Sequence, residues 1–197
     1  MNVQHINIKF FIEDPEAVRL EEYSGVFNNW IQRRVTPELL IDVADYLHVH
    51  NGPGMILIGH EADYSLDNRA GRLGLLYNRK ARVDGSIQEK LAQAAHAVLT
   101  AARLLEKENG VKFNGSEAQV LINDRLLVPN TLETYAVLEP ELRVFFNRLY
   151  SETEYTLAYS SSDPRERFSV DVKAAATFDV QALLKNLSVE GQTAHVR

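Results

Sequence analysis

Three histidines lie close together in a segment that is also rich in acidic side chains. They are His48, His50 and His60. The carboxylates of the same segment belong to Asp42, Asp45, Glu61, Asp63 and Asp67. Imidazole and carboxylate groups bind divalent metal ions and transfer protons as general acids or bases. The segment is therefore the first candidate for a metal or catalytic site.

Two of these histidines have a spacing that suits a shared metal ion. On an extended strand, His48 and His50 point to the same face about 7 Å apart, so both imidazoles can reach one ion. We expect a divalent metal as cofactor, with the ligands His48, His50, His60 and Asp63. No recognised spacing such as H-E-x-x-H occurs, however. The alternative is that His48 and His50 are solvated beside a hairpin tip.

A catalytic arrangement follows if the hairpin around residues 51–54 has a four-residue turn. The tetrapeptide Asn-Gly-Pro-Gly is a strong turn signal, since glycine permits positive φ and proline fixes its own φ. In that register Asp45 lies opposite His60 and would hold its imidazole in one tautomer, with Glu61 as a second carboxylate. We therefore expect a hydrolase that uses His60, Asp45 and Glu61. A buried structural Asp–His pair is the alternative, and a register shift of one residue would separate the two side chains.

The loop after this hairpin combines arginine with glycine. Its sequence is DNRAGRLG, over residues 67–74. Glycine lets backbone N–H groups approach a ligand, and arginine binds oxyanions through two parallel hydrogen bonds. We therefore expect Asp67, Arg69 and Arg72 to bind a small anionic ligand. A solvated loop is the alternative.

Two functions are consistent with these clusters. The first is a small-ligand- or metal-binding protein that acts as a hydrolase if the histidine cluster is catalytic. The second is a non-catalytic, homo-oligomeric binding or regulatory module whose interface includes an apolar patch with Trp30. The first function requires His and carboxylate side chains that converge on one point. The second requires an apolar surface that is available for an interface.

Composition excludes several other classes of protein. The chain has 197 residues, a net charge of −6 and no cysteine. The absence of cysteine excludes disulfide scaffolds and thiolate metal sites, and it is typical of the reducing cytosol. The negative charge argues against a general nucleic-acid binder, and no apolar run approaches the roughly 20 residues that span a bilayer. We expect a cytoplasmic protein with no membrane partner that forms a homo-oligomer.

Hydrophobic periodicity predicts the elements that must position these residues. Strands are predicted over 3–12, 39–50, 55–63, 71–79, 119–127, 154–160 and 167–173, and helices over 16–34, 86–109, 131–150 and 179–187. In the longest helix, Ser86 and Glu89 have the spacing of a capping box, and Gly110 follows the last turn. Pro140 is expected to kink or divide the helix over 131–150.

The order of these elements predicts an α+β fold. We expect a mainly antiparallel sheet with helices packed on one face, in a single domain over residues 1–190, followed by a loose tail over 191–197. The order β-α-β-β occurs in residues 1–84 and again in residues 111–190, with the helix over 86–109 between them. This repetition predicts two pseudo-symmetric halves. Chance is the alternative, because the two halves share little sequence identity.

Overall fold

The computed structural model describes residues 3–188, which form an eight-stranded antiparallel sheet and four α-helices. The strands are β1 (Ile6–Ile12), β2 (Leu40–Tyr46), β3 (Gly54–Gly59), β4 (Ala62–Asp67), β5 (Gly74–Arg79), β6 (Phe113–Ile122), β7 (Tyr155–Tyr159) and β8 (Phe168–Ala174). The helices are α1 (Tyr23–Arg33), α2 (Ile87–Asn109), α3 (Leu132–Leu149) and α4 (Val180–Ser188). The strand order is β2-β3-β4-β5-β1-β6-β8-β7. The predicted α+β fold with an antiparallel sheet is confirmed.

The sheet has an inner face that packs on the helices and an outer face turned away from them. Because side chains alternate along a strand, β1 sends Ile6, Ile8 and Phe10 into the main hydrophobic core. The same alternation places Asn7, Lys9 and Phe11 on the outer face. Several polar residues of that face are nonetheless buried, namely Asn7, Lys9, Ser65, Asp67 and Ser169. The outer face is therefore a partly enclosed polar surface.

Helix α2 crosses the inner face beside the two central strands, β1 and β5. Its start is the predicted capping box, in which the Ser86 hydroxyl accepts from the Glu89 N–H and the Glu89 carboxylate accepts from the Ser86 N–H. Its end is at Gly110, whose φ of 73° lies in the left-handed region. Small buried side chains allow the helix to lie close to the sheet; they include Ala94, Ala95, Ala101 and Ala102.

Several element boundaries differ from the predicted ones. Two short 3₁₀ turns precede α1, which begins at Tyr23. The single strand predicted over 55–63 is two strands, because the chain turns after Gly59 and the Asp63 carboxylate accepts from the Gly59 N–H at 3.2 Å. Helix α3 is not divided at Pro140. Pro140 lies on the exposed side of the helix, where water can solvate the carbonyl group that loses its hydrogen bond.

The predicted pseudo-symmetry is not confirmed. Strands β4 and β5 separate the β2–β3 hairpin from β1, whereas β8 lies directly beside β6. The two halves therefore pair differently within the sheet. The predicted loose tail over 191–197 lies outside the described residues. None of the helices in the described part of the chain is both long and apolar enough to cross a membrane.

Candidate functional site

The register of the β2–β3 hairpin differs from the predicted one. Asp45 pairs with Met55 and Asp42 pairs with Ile58, so the connection between the two strands is longer than four residues. His60 lies five positions beyond Met55, about 17 Å along the strand at 3.4 Å per residue. The predicted pairing of Asp45 with His60 is therefore wrong. The chain does turn between β2 and β3, as predicted. Strand β2, however, ends at Tyr46, several residues before the predicted turn.

The three predicted catalytic residues have separate partners. The Asp45 carboxylate accepts from the Leu47 N–H at 2.8 Å, as in a local turn. The Glu61 carboxylate forms an ion pair with Arg79 at 3.1 Å. His60 is exposed, and its backbone N–H donates to the Leu39 carbonyl at 2.8 Å. The structure does not bring Asp45 together with His60 and Glu61.

The predicted metal ligands lie at opposite ends of β3. His48 and His50 are exposed in the loop that joins β2 to β3, not on a strand. His60 and Asp63 follow the far end of β3, where the Asp63 carboxylate forms an ion pair with Lys80 at 2.7 Å. Within residues 3–188, no group of three or more His, Asp and Glu side chains is arranged to hold a metal ion.

The predicted anion-binding residues, in contrast, all line one cavity on the outer face. Asp67, Arg69 and Arg72 border a cleft of about 530 Å³. Six cationic side chains line this basic cleft: Lys9, Arg69, Arg72, Arg125, Arg165 and Arg167. Two carboxylates, Asp67 and Glu166, reduce its formal charge to +4. The local charge is thus opposite to the net charge of −6 on the whole chain.

The walls of the basic cleft come from loops at both ends of the sheet, while strands form its floor. Arg69 and Arg72 belong to the β4–β5 connection, at the end of the sheet where Phe11 pairs with Gly74. Arg125 follows β6 and Arg167 precedes β8, at the end where Ile122 pairs with Phe168. The cleft is therefore open along the middle of the outer face.

Hydrogen bonds tie together the two loops that carry Arg125 and Arg167. The Asn130 side-chain amide donates to the carbonyl groups of Ser161 and Asp163, each at 2.9 Å. Asn130 is buried, so these bonds form away from competing water. This wall of the cleft is positioned by the protein itself and does not require a ligand to order it.

A buried ion pair forms part of the floor. The Lys9 ammonium donates to the Asp67 carboxylate at 2.7 Å, and both side chains are 3% exposed. The other Asp67 oxygen is buried and accepts no hydrogen bond from the described residues, although Arg69 Nε lies 3.4 Å from it. Burial lowers the pKa of Lys9, and the charges of Arg72 and Arg69 lower it further, although Asp67 opposes both effects.

Most cations of the basic cleft already have an anionic partner. Arg72 donates to Asp171 and to Glu117, each at 3.1 Å, and its guanidinium stacks 3.7 Å from the centre of the Phe11 ring. Arg165 forms an ion pair with Asp163 at 2.6 Å, and Arg69 lies 3.4 Å from Asp67. Within residues 3–188, these pairs and Lys9–Asp67 leave Arg125 and Arg167 as the cations of the cleft without a carboxylate partner.

Of these two cations, Arg125 is exposed whereas Arg167 is half-buried. Burial lowers the pKa of Arg167, and the neighbouring charges of Arg69 and Arg125 lower it further, with only Asp67 acting in the opposite direction. A half-buried guanidinium near two other guanidinium groups is electrostatically unfavourable. A bound anion would remove this cost and would satisfy the free N–H groups.

A second cavity, of about 250 Å³, lies between α2 and the segment that joins α1 to β2. Its walls are mainly apolar and include Trp30, which is fully buried and donates to Glu108 at 3.1 Å. The Glu38 carboxylate at its edge accepts from the hydroxyls of Tyr64 and Tyr77. Because Trp30 is buried, the prediction that it lies in an exposed apolar interface is wrong. Homo-oligomer formation stays a prediction.

Four cations of the basic cleft were not found by sequence reasoning. Lys9 alternates with apolar residues in β1, a pattern that predicts an ordinary solvated face. Arg165 and Arg167 follow the turn over 160–164, which indicates only a hairpin. Arg125 lies in a loop that was predicted to be strand. The spacing R-x-R, formed by Arg165 and Arg167 just before a strand, was a signal that could have found them, since it places two guanidinium groups near one strand end.

Comparisons of the chain with family models, with curated proteins and with solved structures find no match.

Proposed function

We propose that the protein binds a small anionic ligand, one that carries phosphate or carboxylate groups, in the basic cleft. The observation that carries this proposal is Arg167, a half-buried arginine with no carboxylate partner among residues 3–188, which lines a cleft with a formal charge of +4. Arginine is suited to this role because its planar guanidinium binds two oxygens of one phosphate or carboxylate at once.

The size and lining of the cleft support a ligand with both charged and apolar parts. A volume of about 530 Å³ lies within the usual range for small-molecule sites. Phe11, Leu76 and Leu121 supply apolar contacts on the floor, while the arginines stand at the walls. Nucleic acid is a poorer candidate, because the chain as a whole is acidic and would repel a long phosphate backbone.

Calorimetric titration with pyrophosphate and with citrate tests the proposal. The test variant is Arg167→Met, and the matched control is Arg19→Met, which removes the same charge from a side chain that is 76% exposed and lies outside the cleft. We expect both anions to bind the wild type and the control variant. We expect Arg167→Met to lose about tenfold or more in affinity, as for a lost charge-assisted hydrogen bond. Absence of binding to the wild type, or equal affinity in Arg167→Met, would overturn the proposal.

A further inference from the structure

The floor of the basic cleft contains an amine in a setting suited to covalent chemistry. Lys9 lines the cleft, and it is the one lysine that does so among the described residues. Its ammonium group contacts the Asp67 carboxylate at 2.7 Å. The side chain extends from β1, the central strand beside β6, so its position is fixed by pairing on both sides.

The surroundings of Lys9 favour the neutral amine, which is the nucleophilic form. The pKa of Lys9 is lowered by burial and by the charges of Arg72 and Arg69, with Asp67 opposing. A lower pKa leaves a larger fraction of a lysine as neutral amine at neutral pH. Desolvation and a neighbouring cation are the usual means by which proteins activate a lysine for attack on a carbonyl group.

The groups needed to bind an oxo acid lie around this amine. Asp67 can accept a proton from Lys9, and its second oxygen lies 3.4 Å from Arg69 Nε. Arg167, which has no carboxylate partner in that part of the chain, can bind the carboxylate of the ligand. Phe11 and Leu76 offer apolar contacts for its carbon chain. Lys9 and Arg167 line the same cleft, so one bound ligand can contact both.

We propose that Lys9 forms a Schiff base with the carbonyl carbon of a small 2-oxo acid bound in the basic cleft. This inference rests on the proposed anion-binding function and names the class of ligand. The cleft offers an amine on its floor and a guanidinium on its wall. A 2-oxo acid carries the two complementary groups, a carbonyl and a carboxylate.

The reaction is balanced without an oxidant or a reductant. Asp67 takes one proton from the Lys9 ammonium, and the amine lone pair forms a bond to the carbonyl carbon while the carbonyl electron pair moves to oxygen. A second proton of the amine moves to this oxygen, and the resulting hydroxyl leaves as water with the proton returned by Asp67. The nitrogen lone pair forms the C=N bond. One ammonium and one carbonyl thus give one protonated Schiff base and one water.

Reductive trapping tests this chemistry. The full-length protein is incubated with pyruvate and sodium cyanoborohydride, and the modified residue is located by mass spectrometry of peptides. We expect Lys9 to be labelled faster than any other lysine, in keeping with its larger neutral fraction. We expect acetone, which lacks the carboxylate, to label Lys9 more slowly, and pyrophosphate to protect Lys9 from pyruvate. No adduct at Lys9, or labelling of all lysines at similar rates, would overturn the proposal.

Two further arms separate this inference from the proposed function. The first arm is Lys9→Arg, which should form no adduct. The second arm is the protection by pyrophosphate, which is measured on the wild type and therefore does not depend on the folding of the variant. If pyrophosphate binds in the calorimetric titration but no Lys9 adduct forms, the Schiff base is excluded and anion binding stands. If neither is observed, both proposals are overturned.

Discussion

Lys9 and Asp67 meet across a strand that separates them in the sheet. Lys9 is on β1 and Asp67 is on β4, with β5 between them, yet their charged groups are 2.7 Å apart. The crossing takes place over Gly74, where an added Cβ atom would lie 2.9 Å from Lys9 Cε and 2.4 Å from the Phe10 carbonyl oxygen. The absence of a side chain at Gly74 therefore allows the ion pair to form.

This relationship predicts the effect of a methyl group at Gly74. We expect Gly74→Ala to lower the free energy of unfolding by about 1–3 kcal/mol, because the new Cβ collides with the β1 backbone and with the Lys9 stem. Urea unfolding measures this change. Gly25→Ala is the matched control, since an added Cβ there meets no atom within 4 Å. Equal stability of the Gly74→Ala variant and the wild type would contradict the crossing geometry.

The buried ion pair itself predicts strong coupling between its two members. We expect Lys9→Met and Asp67→Leu each to destabilise the protein by about 3–5 kcal/mol, because each removes one partner of a buried ion pair and leaves Asp67 with only its longer contact to Arg69, or Lys9 with no carboxylate. The double variant should be much less unstable than the sum of the two changes, since both charges are then removed. A double-mutant cycle in urea provides the coupling energy. Simple additivity would show that the two groups do not interact in solution.

Two buried tyrosines predict opposite effects of removing a hydroxyl group. The Tyr64 hydroxyl donates to Glu38 at 3.2 Å, whereas the buried Tyr150 hydroxyl has no hydrogen-bond partner among the described residues. We expect Tyr64→Phe to lower stability by about 1–2 kcal/mol, and Tyr150→Phe to leave it unchanged or to raise it by about 1 kcal/mol. Chemical unfolding at neutral pH compares the two. A larger loss in Tyr150→Phe than in Tyr64→Phe would contradict these contacts.

The same tyrosines predict loss of stability in alkaline solution. Burial raises the pKa of Tyr64 and of Tyr150, and the charges of Glu38 and Glu117, respectively, raise them further. The unfolded chain loses these protons near pH 10 while the folded chain keeps them, so the stability that these two tyrosines contribute is fully present below about pH 10 and falls above it. We expect Tyr150→Phe to lose less stability above that pH than the wild type. Tyr46→Phe changes an exposed tyrosine and should lose as much stability above that pH as the wild type. If Tyr46→Phe instead matched Tyr150→Phe, burial of the tyrosine would not be the cause of the alkaline loss of stability.

The sequence predicted the α+β fold because its strongest signals are local. The capping box at Ser86 and the stop at Gly110 fix helix α2 through contacts within a few residues, and both are present in the structure. The periodicity of β1 placed Ile6, Ile8 and Phe10 on the core face. Local chemistry of this kind survives in the folded protein because no long-range contact competes with it.

The site residues were harder to predict, because they depend on register and on chain crossings. The pairing of Asp45 with His60 required a particular turn length, and β2 ends before the predicted turn. The approach of Lys9 to Asp67 depends on the strand order β4-β5-β1, which no local pattern encodes. Arg167 and Arg69 are brought to one cleft from opposite ends of the sheet. The loop over 67–74 did carry a local signal, and its predicted residues Asp67, Arg69 and Arg72 line that cleft.

The histidine segment supplies a negative control for anion binding in the basic cleft. We expect His60→Ala to bind pyrophosphate with the affinity of the wild type, because His60 lies beyond the end of β3 and does not line the basic cleft. Calorimetry of this variant beside Arg167→Met makes the comparison. A loss of affinity in His60→Ala alone would move the anion site from the basic cleft to the histidine segment.

The most direct test of anion binding in the basic cleft is to locate a bound anion by diffraction. Crystals of the wild type and of Arg167→Met, grown with selenate, would show the anion through the anomalous signal of selenium. We predict a selenate within hydrogen-bond distance of the Arg167 guanidinium in the wild type and none at that position in the variant. Selenate bound only outside the cleft, or bound equally in both crystals, would contradict the central claim.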